Sequence, residues 1–245
     1  MDVRLYESHH GACPYLPDRE WVTHAFALAA MPESAYESLL EQGWRRSGDT
    51  FYRNRCPGCT CCTPIRVPVR EFTPSKSQRR AARRNGDVRV EAGPAEYDDE
   101  LFALYASYVR SRHPSESEPT PQGFVHFLVD SPVNTSLMRY YVGNRLVGAG
   151  WVDVLADGLS SVYFAFDPAE HRRSLGTYSV IKEIEYARSL DLSWLYLGFY
   201  VPGSPKMEYK ARFAPHEVAV NGAWTRDAST IDCDPSPRPA DHLPG

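Results

Sequence analysis

Four cysteines lie close together in the first third of the chain, in the run CPGCTCC at residues 56–62. Cysteine thiolates are soft, charged ligands for zinc or iron–sulfur clusters, and the Cys-x-x-Cys spacing of Cys56 and Cys59 lets one turn chelate a metal. Cys62 extends this spacing, and Cys13 is a more distant candidate. The predicted metal ligands are therefore Cys13, Cys56, Cys59, Cys61 and Cys62. The alternative is a turn whose thiols pack as small apolar side chains.

A basic segment follows the cysteines, since residues 70–89 contain seven lysines and arginines against two acidic residues. Its central part predicts a helix that Ser75 or Thr73 caps and that Asn85-Gly86 ends. Basic side chains three and four residues apart share a helix face, and arginine forks bind phosphate oxygens in pairs. This pattern predicts contact with RNA or another polyanion through Lys76, Arg79, Arg80, Arg83 and Arg84. The alternative is a solvated helix surface.

Two further places concentrate polar side chains beside predicted strands. One is a strand-to-helix turn at Ser174, Gly176 and Thr177, where free amides at the start of a helix can receive an anion or a ribose oxygen. The other is the run PKMEYK at residues 205–210, which brings lysine, glutamate and tyrosine together after a strand. Strand packing and a surface helix would explain the same residues without a site.

The elements that position these residues predict an α+β fold. Apolar residues at helical spacing from Leu101 to Tyr108 are followed by three strands whose turns are Gly143-Asn144 and Asp157-Gly158. A long helix and one more strand complete the order, which matches the central part of a GNAT-type acyltransferase fold. The predicted elements are strands at 136–142, 146–155 and 160–166, a helix at 174–190 and a strand at 194–197.

We divide the chain into three parts. Residues 1–92 are predicted to form a smaller N-terminal domain with the cysteines and the basic helix, and residues 93–228 the GNAT-like domain. Residues 229–245, rich in Pro and Asp, predict a disordered tail. Within the first part, Pro68 places the strand at residues 65–69 on the edge of a sheet, because proline cannot donate to a central ladder.

Composition limits the class of protein. Hydrophobic residues make up 42% of the chain, which is enough to form a core. Charged residues make up 24%, and the net charge is −4. We find no apolar run of the ~20 residues that a bilayer span needs and no apolar signal-peptide stretch after Met1. We therefore expect a cytoplasmic protein without membrane contact, with reduced thiols available as ligands.

The segments together resemble the arginyl-tRNA–protein transferases, and within that family its bacterial, leucine-transferring branch. The resemblance covers nearly the whole chain, through the runs HGACPYLP, GWRRSG, FYR, FTPSKSQRR and KARF. Eukaryotic members carry two cysteine motifs linked to metal or iron–sulfur binding. This chain has Leu16 in place of one of those cysteines, but it has the bacterial Cys-x-x-Cys-x-x-Cys pattern.

The resemblance implies a reaction. Leucine moves from the 3′ end of leucyl-tRNA to the α-amine of a protein that begins with Asp or Glu, and the product carries an N-terminal signal for degradation. The ester is already activated, so catalysis requires no cofactor, and zinc or an iron–sulfur cluster would be structural. Under this implication Glu208 is the candidate general base, and Tyr163 or Tyr209 stabilises the oxyanion or the ribose.

Recognition of an acidic N-terminal residue needs cations. The candidates for substrate binding are Arg45, Arg46, Arg66, Lys206 and Lys210, together with Ser174, Gly176 and Thr177 for the aminoacyl end.

Three alternatives stay open at this point. An arginyl donor with the same acceptors would keep the family and change the donor. An acetyl-CoA-dependent GNAT enzyme would need a small residue where this chain has Tyr178, close to the pyrophosphate. A non-catalytic zinc-ribbon RNA-binding protein would explain the cysteines and the basic helix but not the second domain.

Overall fold

A computed structural model of the chain describes residues 4–114 and 117–233. Its helices are α1 (Glu33–Glu41), α2 (Lys76–Arg84), α3 (Asp99–Arg112), α4 (Pro121–Phe124), which continues as a π-helical turn over Val125–Val129, and α5 (Leu175–Ser189). Short 3₁₀ turns cover Pro168–Arg173, Glu208–Arg212 and Ala228–Thr230. Of the helices within the described ranges, none combines the length and the apolar character that a bilayer span requires.

The strands form two sheets. The first eight strands in chain order are β1 (Tyr6–Ala12), β2 (Glu20–Ala27), β3 (Arg45–Ser47), β4 (Thr50–Asn54), β5 (Thr63–Pro68), β6 (Val88–Pro94), β7 (Thr135–Val142) and β8 (Arg145–Val154). The others are β9 (Gly158–Phe166), β10 (Trp194–Tyr200), β11 (Glu217–Val220) and β12 (Ala223–Thr225). A four-stranded sheet has the order β1-β2-β4-β3, and an eight-stranded sheet has the order β12-β11-β5-β10-β9-β8-β7-β6.

The larger sheet contains the predicted meander, helix and returning strand. Strands β7, β8 and β9 pair antiparallel in sequence order, and β10 returns after α5 to lie parallel to β9. One core of buried side chains lies between α5 and this sheet, and a second joins α3 to β8 and β9. The α+β class and the order of elements predicted for the acyltransferase-like domain are therefore confirmed.

Helix α2 begins and ends where its local chemistry predicts. The Ser75 side chain accepts a bond from the Gln78 amide, and the Gln78 side chain accepts one from the Ser75 amide, which completes a capping box. Asn85 is the C-cap. The buried positions Gln78 and Ala81 face the protein, so the basic side chains remain outside.

The position predicted for the strand around Pro68 is wrong. Strand β5 is internal, with β10 on one side and β11 on the other. Pro68 is the last residue of the strand and lies opposite Trp194, so its missing N–H interrupts the ladder only at its end. The N-terminal part of the chain thus supplies a central strand of the larger sheet, as well as α2 and the edge strand β6.

The contribution of N-terminal strands to the larger sheet differs from the domain division at residue 92 that we expected. The smaller sheet and α1 form a separate layer, but β5, α2 and β6 belong to the body that holds the GNAT-like strands. Within the expected tail, residues 229–233 are described, and Ile231 packs against the main core. The remainder of that tail, residues 234–245, lies outside the described residues.

A buried ion pair joins the two sheets. Arg46 on β3 donates from Nε to Asp153 Oδ2 at 2.9 Å and from Nη2 to Oδ1 at 2.6 Å, and Asp153 lies on β8. Thr135 donates its hydroxyl to the same carboxylate at 2.6 Å. The side chains of Arg46 and Asp153 are 2% and 0% exposed. The pair fixes the smaller sheet against the larger one.

Candidate active site

The larger sheet opens between β9 and β10. These parallel strands pair only at Trp194 with Gly158, Leu195 with Leu159 and Tyr196 with Ser160, although both strands continue beyond this point. Beside the opening, the register of β10 on β5 shifts between Tyr196 and Phe199, where Gly198 has a φ of +85°. Side chains that follow Ser160 and Tyr196 are therefore placed along a cleft and not along a continuous ladder.

Tyr163 lies on β9 beyond the last paired residue and is half-buried among aromatic rings. Its ring lies 5.4 Å from that of Phe127 and 6.2 Å from that of Tyr108, measured between centroids. Tyr105 and Trp151 complete the same cluster. The surface beside the opening is thus largely apolar and aromatic.

Tyr209 lies in the turn Glu208–Arg212, which packs against β10. Its residue surface is 41% exposed, so a substrate can reach it. Desolvation of the hydroxyl raises the pKa of Tyr209 to about 12, and the charges of Glu183 and Tyr108 act in the same direction. The phenol therefore stays protonated at neutral pH and can donate a hydrogen bond.

Two buried cations approach the backbone of β10 at Gly198. Lys210 Nζ donates to the Phe199 carbonyl at 2.7 Å, and Arg45 Nη2 donates to the Gly198 carbonyl at 2.7 Å. A Cβ atom added at Gly198 would lie 3.4 Å from Lys210 Nζ and 3.8 Å from Arg45 Nε. No carboxylate within the described ranges pairs with either cation, and Arg45 Nε has no hydrogen-bond partner.

Burial and the neighbouring positive charge of Arg45 lower the pKa of Lys210 to about 7, and the nearby Cys62 acts in the opposite direction. Uncompensated buried charge is costly, so two such cations side by side form a site suited to a carboxylate.

The other three cations predicted to read the acceptor are placed differently. Arg46 is committed to Asp153, and Arg66 forms an ion pair with Glu217 at 2.9 Å. The Arg66 guanidinium also lies between two indole rings, 3.6 Å from the centroid of Trp194. Lys206 is exposed on the loop before the turn. The structure therefore brings Arg45 and Lys210 together and keeps Arg46 and Arg66 in structural contacts.

Glu208, the predicted base, is exposed at the start of its turn. Its Oε1 accepts a hydrogen bond from the Gly203 amide at 2.8 Å, so the carboxylate fastens the preceding loop.

The basic helix and the start of α5 meet in one cavity of about 170 Å³. Ser174 begins α5 in the left-handed region at φ +59°, and the Arg84 guanidinium lies 3.4 Å from its hydroxyl. The cavity combines residues from three predicted groups: Ser77, Gln78, Arg80, Ala81, Arg84, Ser174, Thr177, Tyr209, Arg212 and Phe213. A neighbouring cavity of about 780 Å³ is lined by Arg84, His171, Arg172, Arg173 and Ser174. An anionic chain bound along α2 could therefore extend through this cavity to Tyr209.

Lys76, Arg79, Arg80, Arg83 and Arg84 are all exposed. Arg79 donates to the Pro74 carbonyl and Arg84 to the Arg172 carbonyl, so these two also support the local backbone.

Four of the predicted thiols converge, and the fifth is paired elsewhere. Burial raises the pKa of Cys62 to about 12, and Cys56, Cys59 and Cys13 act in the same direction, which places all four near one another. Cys61 forms a disulfide with Cys233, which lies 172 residues further along the chain. Among the residues that the structure describes, no group of three or more His, Cys, Asp or Glu side chains is arranged to hold a metal ion.

Glu183 and Ser161 were not among the predicted site residues. Glu183 is fully buried on α5. Its signal in the sequence is a carboxylate on the apolar face of a helix, flanked at helical spacing by Val180 and Ala187. Ser161 lies in the predicted strand at residues 160–166, where spacing does not separate it from Ser160.

Comparison with known proteins places this architecture in a family. Residues 11–80 match the family described as "Arginine-tRNA-protein transferase, N terminus", and residues 100–220 match the corresponding C terminus. A relative from Nitrosococcus oceani is 41% identical over 226 residues, which cover 90% of this chain and 94% of the relative. Relatives from Marinobacter nauticus and Thiobacillus denitrificans are each 38% identical and are covered to 93% and 94% of their lengths, respectively. All three are named aspartate/glutamate leucyltransferase. The chain belongs to the arginine-tRNA-protein transferase family.

Proposed function

We propose that the protein transfers leucine from leucyl-tRNA to the α-amine of proteins that begin with Asp or Glu. The observation that carries this proposal is a single cavity that joins the basic face of α2, the start of α5 and Tyr209, which lies on a turn packed against β10. Phosphates of the tRNA 3′ end suit the arginines and the helix N-terminus, and the aminoacyl ester would then lie at the cleft. The product enters degradation through its new N-terminal residue, and we place the reaction in the cytoplasm, where its substrates are made.

In this reaction the neutral amine attacks the ester carbonyl, a C–N bond forms and the bond to the ribose oxygen breaks. The enzyme must align the two substrates and stabilise the charge that develops on the carbonyl oxygen. Tyr209, protonated and reachable, is suited to donate to that oxygen or to the ribose, and Tyr163 borders the same cleft.

Leucine fits the aromatic surface beside the cleft better than arginine does. Tyr108 contacts both Tyr163 and Phe166, and the Arg112 guanidinium lies 5.5 Å from the Phe166 ring centroid. A second guanidinium there would be repelled by this charge, whereas an apolar side chain would not.

The deciding experiment offers labelled leucine or arginine on matched tRNAs to peptides beginning with Asp, Glu or Ala. We expect leucine to move onto Asp and Glu and not onto Ala. Transfer of arginine instead would keep the reaction and reverse the donor. Tight tRNA binding without transfer of either amino acid would favour a non-catalytic RNA-binding protein.

Arg45 and Lys210 supply the acceptor site in this proposal, because no carboxylate in the part of the chain that the structure describes pairs with them. Lys210→Met is expected to raise the KM for Asp- and Glu-initiated peptides at least ~10-fold with little change in kcat, since uniform substrate binding is lost. Methionine keeps the unbranched shape, so the fold should tolerate the change.

Lys206→Met is the matched comparison, and a much smaller effect is expected because an exposed pair contributes only ~0–1 kcal/mol. Metal content is measured in both variants. An unchanged KM for Lys210→Met would exclude a role of Lys210 in acceptor binding. Loss of metal from this variant would mean that the Lys210 charge supports the cysteine site instead.

The four converging thiols, Cys13, Cys56, Cys59 and Cys62, are soft donors that suit structural zinc or an iron–sulfur cluster. Under this part of the proposal they close around the metal and tie the residue 13 segment to the 56–62 turn. The triple variant Cys56→Ser, Cys59→Ser, Cys62→Ser is expected to lose the metal and several kcal/mol of stability, on the order seen when metal binding drives folding.

Metal analysis and thermal unfolding of the purified chain measure this prediction. The pair Cys61→Ser with Cys233→Ser is the control for metal content, because it removes two sulfurs and leaves the four thiols. A metal-free wild type that melts together with the triple variant would support simple apolar packing.

A further inference from the structure

Glu183 lies on α5, and its carboxylate is enclosed in the body that contains the larger sheet. The residue is 0% exposed, and neither of its carboxyl oxygens has a hydrogen-bond partner within the described ranges. An unpaired buried carboxylate is costly to keep and is more often found where a site uses it. The proposed function does not yet give it a role.

The groups that face Glu183 come from four elements. The Ser161 hydroxyl on β9 lies close enough to Glu183 to lower the pKa of the carboxyl. The two groups do not form a hydrogen bond of standard geometry. Burial raises the pKa values of Tyr140 on β7 and of Tyr209 in the turn Glu208–Arg212, and the Glu183 charge raises them further. From β8, a Cβ atom added at Gly150 would lie 3.9 Å from Glu183 Oε1.

No positively charged side chain among residues 4–114 and 117–233 acts on the carboxylate. Burial raises the pKa of Glu183 to about 7, and among the groups acting on it only Ser161 opposes this change. Tyr140 and Tyr209 are neutral near pH 7, so the carboxyl can change its protonation state there without breaking an ion pair.

Ser161 connects the enclosed carboxyl to the cleft. It directly follows Ser160, the last residue at which β9 and β10 pair, and it is half-buried while Glu183 is fully enclosed. Its hydroxyl can therefore face Glu183 on one side and a bound substrate on the other.

We propose that Glu183 is a positioning residue that receives, through the Ser161 hydroxyl, the proton given up by the acceptor α-ammonium group. The Ser161 oxygen takes a proton from the ammonium and passes its own proton to the Glu183 carboxylate. The neutral amine then attacks the leucyl carbonyl carbon, a C–N bond forms and the C–O bond to the ribose breaks. A second amine proton goes to the leaving ribose oxygen, and Glu183 later returns its proton to solvent.

This assignment differs from the one that Glu208 would provide. Glu208 is exposed and already accepts a hydrogen bond from the Gly203 amide, whereas Glu183 is enclosed and lies beside Ser161. A carboxyl that titrates near neutral pH is matched to a reaction run at that pH.

The test, which rests on the proposed transfer of leucine, is the pH dependence of kcat with both substrates saturating. The kcat of the wild type should rise with pH, and this rising limb should have an apparent pKa near 7. Glu183→Gln should lower kcat by about 10²-fold or more and lose this limb, within the range of general acid–base effects. Ser161→Ala should do the same, and Tyr140→Phe, which removes a hydroxyl from the other side of Glu183, should keep both the rate and the limb.

Thermal unfolding separates this role from a structural one. The folded pKa of Glu183 lies above its unfolded value of 4.5, so its stabilising proton is present below pH 4.5 and is lost as the pH rises through 7. Glu183→Gln has no such loss, so its Tm should exceed that of wild type by several degrees above pH 7 and converge with it near pH 4.5. A variant that is more stable yet slower cannot owe its lost activity to unfolding.

Several outcomes would overturn the assignment. Glu183→Gln could keep the wild-type rate and limb, which would leave the limb to the substrate amine alone. Loss of the limb in Glu208→Gln with retention in Glu183→Gln would give the role to Glu208. Retention of the limb in Ser161→Ala would exclude the Ser161 route. Absence of any transfer by wild type would instead refute the proposed function.

Discussion

Arg46→Met is expected to lower the free energy of unfolding by about 3–5 kcal/mol, because it leaves the Asp153 carboxylate buried without a counter-charge. Both side chains are almost completely enclosed, and the two bonds between them are 2.9 and 2.6 Å long. Since the pair joins β3 to β8, we also expect the smaller sheet to loosen from the larger one. Urea denaturation followed by fluorescence and far-UV circular dichroism measures both effects.

The double variant Arg46→Met with Asp153→Leu is expected to recover much of the loss, because replacing both partners by apolar side chains removes the uncompensated charge. Arg70→Met is the matched surface control. Arg70 pairs with Asp191, but the two side chains are 67% and 90% exposed, so a change below about 1 kcal/mol is expected. A comparably small loss in Arg46→Met would contradict a linking role for the buried pair.

The second large effect is expected on tRNA binding. Changing Lys76, Arg79, Arg80 and Arg83 together to Ala should weaken leucyl-tRNA binding by about 100-fold or more near 0.1 M salt. The slope of log K against log salt should fall by about 3, since each phosphate contact contributes roughly 0.7 to 0.9. Alanine favours helices and the capping box at Ser75 remains, so α2 should persist. Titration at several salt concentrations measures this directly.

A control variant with the same charge change separates local contact from net charge. It replaces four exposed arginines outside α2 that pair with acidic side chains, namely Arg70, Arg89, Arg110 and Arg226. We expect its salt slope to stay within about one unit of wild type. Equal weakening in the two variants would mean that α2 acts only through overall charge, and unchanged binding in the α2 variant would remove the helix from the tRNA site.

The elements that were correctly anticipated are those whose boundaries depend on neighbours in sequence. Helix α2 starts at a residue whose side chain caps the amide three positions on, and it ends at Asn85. The meander turns at Gly143 with φ +58°, a conformation that glycine adopts without steric cost. Such features need only a few adjacent residues, so the one-dimensional pattern contains them.

Sheet partners could not be read in the same way. Pro68 suggested an edge strand, but β5 receives β10 and β11 from more than 100 residues further along. The proline is tolerated because it ends the strand, a fact that depends on where the partner strands stop. Likewise, Cys61 meets Cys233 at a separation of 172 residues, which no local spacing indicates.

The candidate site divides along the same line. Residue types and the order of motifs were sufficient to indicate the family, the basic helix and a set of chemically suitable side chains, because those depend on identity and local spacing. Only the folded chain decides that Arg45 lacks a carboxylate while its neighbour Arg46 has one, and that Glu183 is enclosed beside Ser161. The charge balance and solvation of a side chain depend on groups brought from distant parts of the chain, and these determine whether it supports the fold or acts on a substrate.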